Sequence, residues 1–566
     1  MANIRVYCEN LNSTIECVPG TKLSDFLKKS GYSPELPVLA AIVDNQLKEL
    51  GFELYIPNRV KFIDYSHPDG YRTYGRSLNF VVQKAVADLF PQYSLIIDYN
   101  LQNGMYAEIR ELEPDEDGSP REYSLSEKEI ESIKERMKQL IAANLPFTRH
   151  KILTNEAVKL FLKYRRPEKA LLHELRGKFF TTVYFLDGYP DHFYGPLVET
   201  TGLLTCWDIE SFSRGFLIKT PPITSPYKLV KSPYQYKLFD VFKEYSNWCS
   251  ILKVKGVGTL NNAIKFGKAR DLIQISEGLH ERKYAAIADE IYKKRAGVKL
   301  VLIAGPSSSG KTSTSKRVSL QTKVLGLNPV VVEMDNYFVD RDKTPRDKDG
   351  NFDFESLEAL DVEFLNEQIN DLFAGKKIQL PKYDFAAGYR IFTEQTLSLG
   401  EKDILIMEGI HGLNPKLTGH ISPEKIIRIY ASALTSLSLD ENNNISTSDS
   451  RLIRRMVRDN LYRGIRPEDT IMRWPSVRRG EIVNIFPYQE NADIMFNSAL
   501  IYELPLLKYY AEPLLRRISP NSPASTESMR LLKFLSYITE LQPFEIALIP
   551  PTSVMREFIG GSSFIY

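Results

Sequence analysis

Over the first 64 positions, apolar and polar residues alternate in short bursts instead of recurring at helical spacing. IRVYC (4–8) and TIECV (14–18) read as two short strands, and PVLAAIVDNQ (37–46) and VKFIDYS (60–66) as two more. Between the pairs, PGTKLSDFLKK predicts a short helix capped by Ser24 or Thr21. Residues 1–64 are therefore expected to form a small β-rich unit. From 65 to 285 the pattern is mixed and predicts an α+β unit. The turn-rich acidic stretch ELEPDEDGSP (111–120) reads as a loop. Ser124-x-x-Glu127 then reads as a capping box, followed by Ile130, Ile133, Met137, Leu140 and Ile141 on one helical face. EGLHERKYAAIADEIYKKR (277–295) reads as a helix leading into a third unit, 286–515. There, buried β-branched runs alternate with helical patterns, which predicts a parallel α/β sheet. SPNSPAST reads as a linker, and the amphipathic MRLLKFLSYITEL after it completes a C-terminal linker and helical tail over 516–566.

A chain of 566 residues exceeds what one hydrophobic core supports, which agrees with several units. A net charge of +2 gives no general drive toward nucleic acid or anionic membrane, so RNA binding has no support from charge. No apolar run reaches the roughly 18 residues that a membrane span needs. The N-terminus lacks a basic stretch followed by an apolar one. Cys8, Cys17, Cys206 and Cys249 are scattered, which argues against a disulfide framework and fits a cytoplasmic protein.

The chemistry concentrates in the third unit. GPSSSGKT (305–312) fits G-x-x-x-x-G-K-[ST] and lies between the apolar run VKLVLIAG and the helix-like STSKRVSLQTKVLG. In that setting Gly305, Ser307, Ser308, Ser309, Gly310, Lys311, Thr312 and Ser313 are expected to cradle the phosphates of a nucleotide. Lys311 would reach the terminal phosphates and the Thr312 hydroxyl a magnesium ion. NPVVVEMDNYF (328–338) reads as a second buried strand ending in Asp335, placed to accept a proton from an acceptor hydroxyl. KDILIMEG (402–409) reads as a third, ending in Glu408, which suits a magnesium-linked carboxylate. His411 follows closely, with a functional role and polar packing both open. RLIRRMVRD (451–459) sets Arg451, Arg454, Arg455 and Arg458 at i, i+3, i+4 and i+7. That gathers four guanidinium groups on one helical face, where an anion would relieve their repulsion; a solvated basic face or an RNA contact is the alternative. The polar loop DENNNISTSDS (440–450) before it reads as a hinge.

The P-loop, Asp335-Asn336-Tyr337-Phe338, FDFESLEALD (352–361), PKYDF (381–385) and Glu408-Gly409 together resemble the uridine kinase and phosphoribulokinase family. The resemblance implies a P-loop kinase that uses ATP and magnesium, with Lys311 and Asp335 catalytic and Asp335 the general base. It implies Tyr337, Tyr383, Asp384 and Arg390 at the acceptor. It also implies a lid helix that brings Arg454 and Arg458 to the transferred group and Arg451 toward the substrate. The histidine that such uridine kinases carry before the arginine is here Gly388. Residues 1–64 resemble a TGS domain, a ubiquitin-like β-grasp module. VYFLDGYPDHFYGPLVETTG (183–202) resembles part of a threonyl-tRNA synthetase editing domain, so that 65–285 is similar to that domain. Its chemistry-bearing positions are changed: the His-x-x-x-His pair falls near Tyr74–Leu78, the cysteine position is Phe193, and the last histidine position is Leu197. His192 stands nearby as a lone histidine. The expected function is a kinase for the 5′-hydroxyl of a nucleoside such as uridine or cytidine. A kinase for another hydroxyl metabolite, such as a sugar phosphate, and an RNA-associated regulatory ATP-binding protein stay open, as does self-association.

Overall fold

The structure is a computed structural model that describes residues 3–101, 104–114, 120–347, 350–435 and 437–565. Strands β1 (Ile4–Cys8), β2 (Ser13–Cys17), β3 (Ala40–Val43), β4 (Gln46–Lys48) and β5 (Arg59–Ile63) form one sheet in the order β2-β1-β5-β3-β4. β1 and β5 pair in parallel at its centre. Helix α1 (Leu23–Ser30) buries Leu23 and Phe26 against this sheet. Neither predicted cap holds: Lys22 is the N-cap residue, Ser24 lies buried inside the helix, and the Thr21 hydroxyl donates to the Val18 carbonyl at 2.6 Å.

Helix α2 (Pro68–Leu89) leads into β6 (Tyr93–Leu101) and β7 (Gly104–Pro114), an antiparallel pair. The expected loop at 111–120 therefore begins as strand, and its positions 115–119 lie outside the described residues. Helix α3 (Glu127–Ala142) buries Ile130, Ile133, Met137 and Leu140 as its spacing predicts. Its capping box is Ser126 with Glu129, two residues beyond the predicted pair. The segment SLSE offers both registers, and the later one lets Tyr123 donate to Glu129 as well. Strand β8 (Thr148–Leu153), helices α4 (Thr154–Lys163) and α5 (Pro167–Leu175), and strands β9 (Phe180–Leu186) and β10 (Tyr189–Asp191) follow. Phe193 and Leu197 are buried with Tyr74 and Leu78 in one apolar cluster. His192 is packed: its Nδ1 lies 2.6 Å from the Thr182 carbonyl and must donate to it, so Nε2 accepts from the Tyr537 hydroxyl.

Helix α6 (Ala269–Lys293) runs unbroken across the expected boundary at 285/286. The third unit is the predicted parallel sheet. β11 (Leu300–Ala304) is its centre, flanked by β14 (Asp403–Glu408) and β15 (Ile426–Ser432). Outside these lie β12 (Asn328–Glu333) and β16 (Ile494–Asn497), giving the order β12-β14-β11-β15-β16. A separate hairpin, β13a (Ile378–Asp384) and β13b (Tyr389–Leu397), stands beside it.

Residues 516–566, expected as a linker and helical tail, carry a helix and pack into the core of the third unit. SPNSPAST makes a compact turn before helix α9 (Ser525–Leu535). Leu531, Phe534, Val554, Met555 and Phe558 belong to the same core as Leu452, Met456 and Val457 of the arginine helix, α7 (Thr447–Arg463). The loop before α7 is not a hinge. Asp440, Glu441, Asn442 and Asn443 are buried against the N-terminal half. Asn442 donates to the Leu95 carbonyl, Asn443 to that of His192, and the Glu441 carboxylate accepts from the Glu168 amide. Charged and amide side chains that look solvated in sequence here satisfy backbone groups across the junction. Among the described residues no helix is long and apolar enough to cross a membrane.

Candidate active site

The P-loop follows β11 and opens helix α8 (Lys311–Val324). At Gly305 a β-carbon would strike the Ala431 carbonyl of β15, so the loop can pass the sheet only as glycine. Ser308 (φ +57) and Gly310 (φ +81) are left-handed, which turns successive amides inward as an anion-binding nest. The hydroxyls of Ser308 and Ser309 are buried without a hydrogen-bond partner. Buried donors left open inside a nest suit phosphate oxygens.

The outer side of the loop is gripped by α7. Arg451 donates to the Ser307 carbonyl at 3.0 Å, and Arg455 to the Ser307 hydroxyl at 2.9 Å. Ser498 holds the Ser309 carbonyl at 2.5 Å. The predicted gathering of four guanidinium groups around an anion needs correction. Arg451 and Arg454 are fully buried and paired with carboxylates, Arg451 with Glu481 and Arg454 with Glu503. Burial works against the charge of Glu481, but Arg451 and Arg478 outweigh it and hold its pKa below the usual range. Arg451 and Arg454 thus brace the loop from behind. Arg455, Arg458 and Arg463 instead surround the single buried carboxylate of Asp459, at 3.2, 3.1 and 3.4 Å. Three cations around one anion leave net positive charge beside Ser307.

On the inner side, the Thr312 hydroxyl donates to Glu408 at 2.7 Å. Burial pushes the Glu408 pKa up to about 7, against the pull of Lys311 and Thr312 and with the help of Asp335 and Glu333. The surrounding protein also raises the Asp335 pKa, again opposed by Lys311, although the residue itself is exposed. Glu355, half-buried in the motif FDFESLEALD, is raised to about 7 by burial and by Glu481, with Lys311 and Arg455 opposing. Three carboxylates therefore share the field of one lysine. A hydroxyl and hard carboxylate oxygens suit magnesium in a site with this excess of negative charge, so Thr312 and Glu408 fit the expected ion.

The raised groups have a consequence for stability. Between about pH 4.5 and pH 7 the folded chain holds protons on Glu408 and Glu355 that an unfolded chain has released. Stability should therefore fall as pH rises through that window and level off above it. Glu408→Gln removes one of the two titrations and is expected to flatten the slope, read from urea unfolding at pH 5, 6, 7 and 8. Parallel slopes for the two proteins would exclude Glu408 as a source.

The expected acceptor residues lie close together: Tyr383 and Arg390 are opposite each other in the β13a–β13b hairpin, Asp384 is next to them, and the Phe364 ring lies against Tyr337 and under Arg390. Tyr337 is buried, and its hydroxyl donates to Gln368 at 2.9 Å. Asp384 accepts from the amides of Ala386 and Ala387, both at 2.9 Å, and so closes the hairpin turn. Arg390 pairs with Asp361 at 2.8 Å and lies over the Phe364 ring. Tyr383 is buried edge-on to Phe338 and Phe385. Gly388 is left-handed (φ +83) and packed against Arg341, so a larger residue there would be strained. His411 is buried with neither ring nitrogen hydrogen-bonded among the described residues, and burial lowers its pKa to about 4.

Sequence reasoning missed the roles of Glu355, Glu481, Arg463 and Glu557. Glu557, in the short helical turn Arg556–Ile559, accepts from the Ser313 amide at 3.2 Å and from its hydroxyl at 2.6 Å. Glu481 accepts from the Ser307 amide at 3.2 Å. No local pattern marks either residue; each acts on a partner distant in sequence.

A P-loop on the central strand of a five-stranded parallel sheet, with carboxylates at the ends of the two strands on one side of it, defines a P-loop nucleotide-binding domain. Residues 300–502 match the model of the phosphoribulokinase/uridine kinase family. A uridine kinase of Bacillus licheniformis is 30% identical over 177 residues, 31% of this chain and 74% of its own length. The inorganic pyrophosphatase TTM2 of Arabidopsis thaliana is 30% identical over 225 residues, 38% of this chain but 29% of its own length, so the chain spans less than a third of that relative. Among solved structures, a possible uridine kinase from Bacillus stearothermophilus aligns with 38% of this chain and 98% of its own, at 22% identity and a TM-score of 0.24. The chain belongs to the phosphoribulokinase/uridine kinase family, through its kinase domain at 300–502.

Proposed function

We propose that the chain is an ATP-dependent kinase for the 5′-hydroxyl of a nucleoside, uridine or cytidine, and releases the monophosphate. The observation that carries this reading is the convergence of Lys311, Asp335 and the Thr312–Glu408 pair at one phosphate nest. The loop amides and Lys311 bind the polyphosphate. Asp335 accepts the proton of the attacking hydroxyl, and its raised pKa makes it a better base than an ordinary aspartate. Arg455, Arg458 and Arg463 supply positive charge for the transferred group. Magnesium brought by the nucleotide, held through Thr312 and Glu408, would neutralise phosphate charge. Asp335→Asn is expected to lower kcat about 10²- to 10⁴-fold with little change in ATP affinity. A variant with full kcat and a raised KM for ATP would make Asp335 a binding residue.

Glu557 bears on the same site. Its carboxylate holds an amide at the start of α8 where phosphate oxygens would compete for it. Glu557→Gln is expected to lower the KM for ATP severalfold in initial-rate assays; an unchanged or raised KM would mean that Glu557 does not compete.

A sugar-phosphate acceptor is the second reading. It is favoured by Gly388 in place of a base-reading histidine and by the engagement of Asp384 in its turn. ADP release over a panel of nucleosides and sugar phosphates separates the two: turnover confined to sugar phosphates would overturn the nucleoside assignment.

For the N-terminal half, we infer a TGS-like β-grasp unit and an editing-like unit that has lost its reagents. The sheet order β2-β1-β5-β3-β4 with parallel central strands supports the first. Phe193 and Leu197, packed into apolar core, support the second. On this reading the half serves the kinase as a binding or regulatory module.

A further inference from the structure

A cavity of about 490 Å³ lies in the N-terminal half, far along the chain from the P-loop. Its walls come from the C-terminal part of α2, the start of β6, the end of α4 and the turn between β9 and β10. The volume falls within the range usual for small-molecule sites. Three features distinguish it from a packing defect.

The first is Gln83, which is 1% exposed and contributes to the cavity wall, while its amide oxygen and amide nitrogen lie buried behind that wall without a hydrogen-bond partner among the described residues. A buried carboxamide lacking both its bonds is costly, and turning it into the cavity toward a ligand edge with an adjacent donor and acceptor would satisfy it. The second is the charge at the rim. Lys84 is taken by Asp88 at 2.7 Å and Asp187 at 3.5 Å, and Arg166 is tied to Asp191 at 2.8 Å. Lys163 and Arg165 form no ion pair among the described residues, and both are exposed. They leave the rim with two uncompensated positive charges. The third is the backbone of Arg165 itself. It stands just past α4 with φ +58, where its amide closes the helix on the Leu162 carbonyl at 2.9 Å. Glycine is the usual residue at such a position, and an arginine there costs about 1 kcal/mol. Strain kept at a cavity mouth points to use of the side chain. Tyr93, Tyr164 and Tyr189 supply aromatic wall.

We propose that this cavity is a second binding site, for a free mononucleotide. Lys163 and Arg165 take the phosphate, Gln83 pairs with the edge of the base, and the tyrosines flank the ring. No part of this rests on the kinase reading. Tyr74, Leu78, Phe193 and Leu197, the positions of the editing-like resemblance, do not line the cavity, although they share an apolar cluster with its lining residues Val86 and Leu95.

Equilibrium dialysis of the full chain with radiolabelled AMP, GMP, CMP and UMP tests the proposal in wild type, Arg165→Gly and Gln83→Leu. Arg165→Gly removes the charge and relieves the backbone strain together, so its melting temperature should stay level or rise. At least one of the four nucleotides is expected to bind wild type and to bind Arg165→Gly about tenfold more weakly. Gln83→Leu, where folded, should weaken binding of the same nucleotide. Absence of binding by all four, or binding that is equal in wild type and Arg165→Gly, overturns the site; the latter places the nucleotide at the P-loop domain. A short single-stranded RNA that binds in an Arg165-dependent way when no free nucleotide does would overturn the free mononucleotide as its ligand.

Discussion

Replacing Lys311 with alanine is expected to cut phosphoryl transfer by at least about 10²- to 10³-fold, the usual effect of removing one charge-stabilising donor from a reacting centre. The reason lies in its surroundings. Asp335, Glu355 and Glu408 are each raised by the surrounding protein, and Lys311 is a cation that opposes the rise at all three. Without it the nest loses its contact to the terminal phosphates, and the three acids lose the charge that favours their ionised forms. Their pKa values would then rise further. The variant should melt cooperatively near the wild-type temperature, because among the described residues Lys311 makes a single long hydrogen bond, to the Pro306 carbonyl at 3.3 Å. Initial rates with saturating ATP, together with a melting curve, check both parts. Turnover within a factor of about three of wild type would remove Lys311 from the reaction.

The largest loss of stability is expected from Arg454→Met. Arg454 is 0% exposed and donates to Glu503 at 2.6 and 2.5 Å and to the Ser498 carbonyl at 3.0 Å. Methionine fills much of the space but leaves the buried Glu503 carboxylate without its partner. Breaking a buried pair from one side costs about 3–5 kcal/mol. In a unit of this size that corresponds to a fall in melting temperature of roughly 10 °C. Arg458→Ala supplies the contrast. Arg458 is partly exposed and shares Asp459 with Arg455 and Arg463, so its loss leaves that carboxylate paired. Melting should barely change, while kcat falls. Differential scanning calorimetry beside initial rates separates the two arginines. Equal melting losses would contradict the division of α7 into a bracing pair and an anion-facing group.

That division also marks how far the sequence could be read. The spacing of Arg451, Arg454, Arg455 and Arg458 correctly implies one side of a helix, because helical periodicity is local. What each guanidinium meets is not local. Glu481 and Glu503 reach Arg451 and Arg454 from 30 and 49 residues away. The P-loop, its flanking strand and helix, and the strand-end carboxylates were legible because each belongs to a continuous segment with its own hydrophobic pattern. The caps of α1 and α3 were misread because serine and threonine occur at several registers before each helix, and tertiary packing selects one. DENNNISTSDS looks like a solvated loop by composition, yet Asp440, Asn442 and Asn443 are buried where they satisfy groups of the N-terminal half. Composition reports polarity, not whether a partner surface will meet it. Nor does composition show where the C-terminal segment packs: Glu557 and Val554 close on the P-loop from the far end of the chain.

The central claim is that the P-loop domain transfers phosphate from ATP to a nucleoside hydroxyl. Incubating the full chain with ATP, magnesium and uridine or cytidine, and following phosphorus-31 resonances, tests it most directly. The account predicts that ADP and a nucleoside 5′-monophosphate appear in equal amounts, at rates that Lys311→Ala and Asp335→Asn both suppress. Formation of ADP and inorganic phosphate alone, unchanged by the presence of either nucleoside, would contradict it.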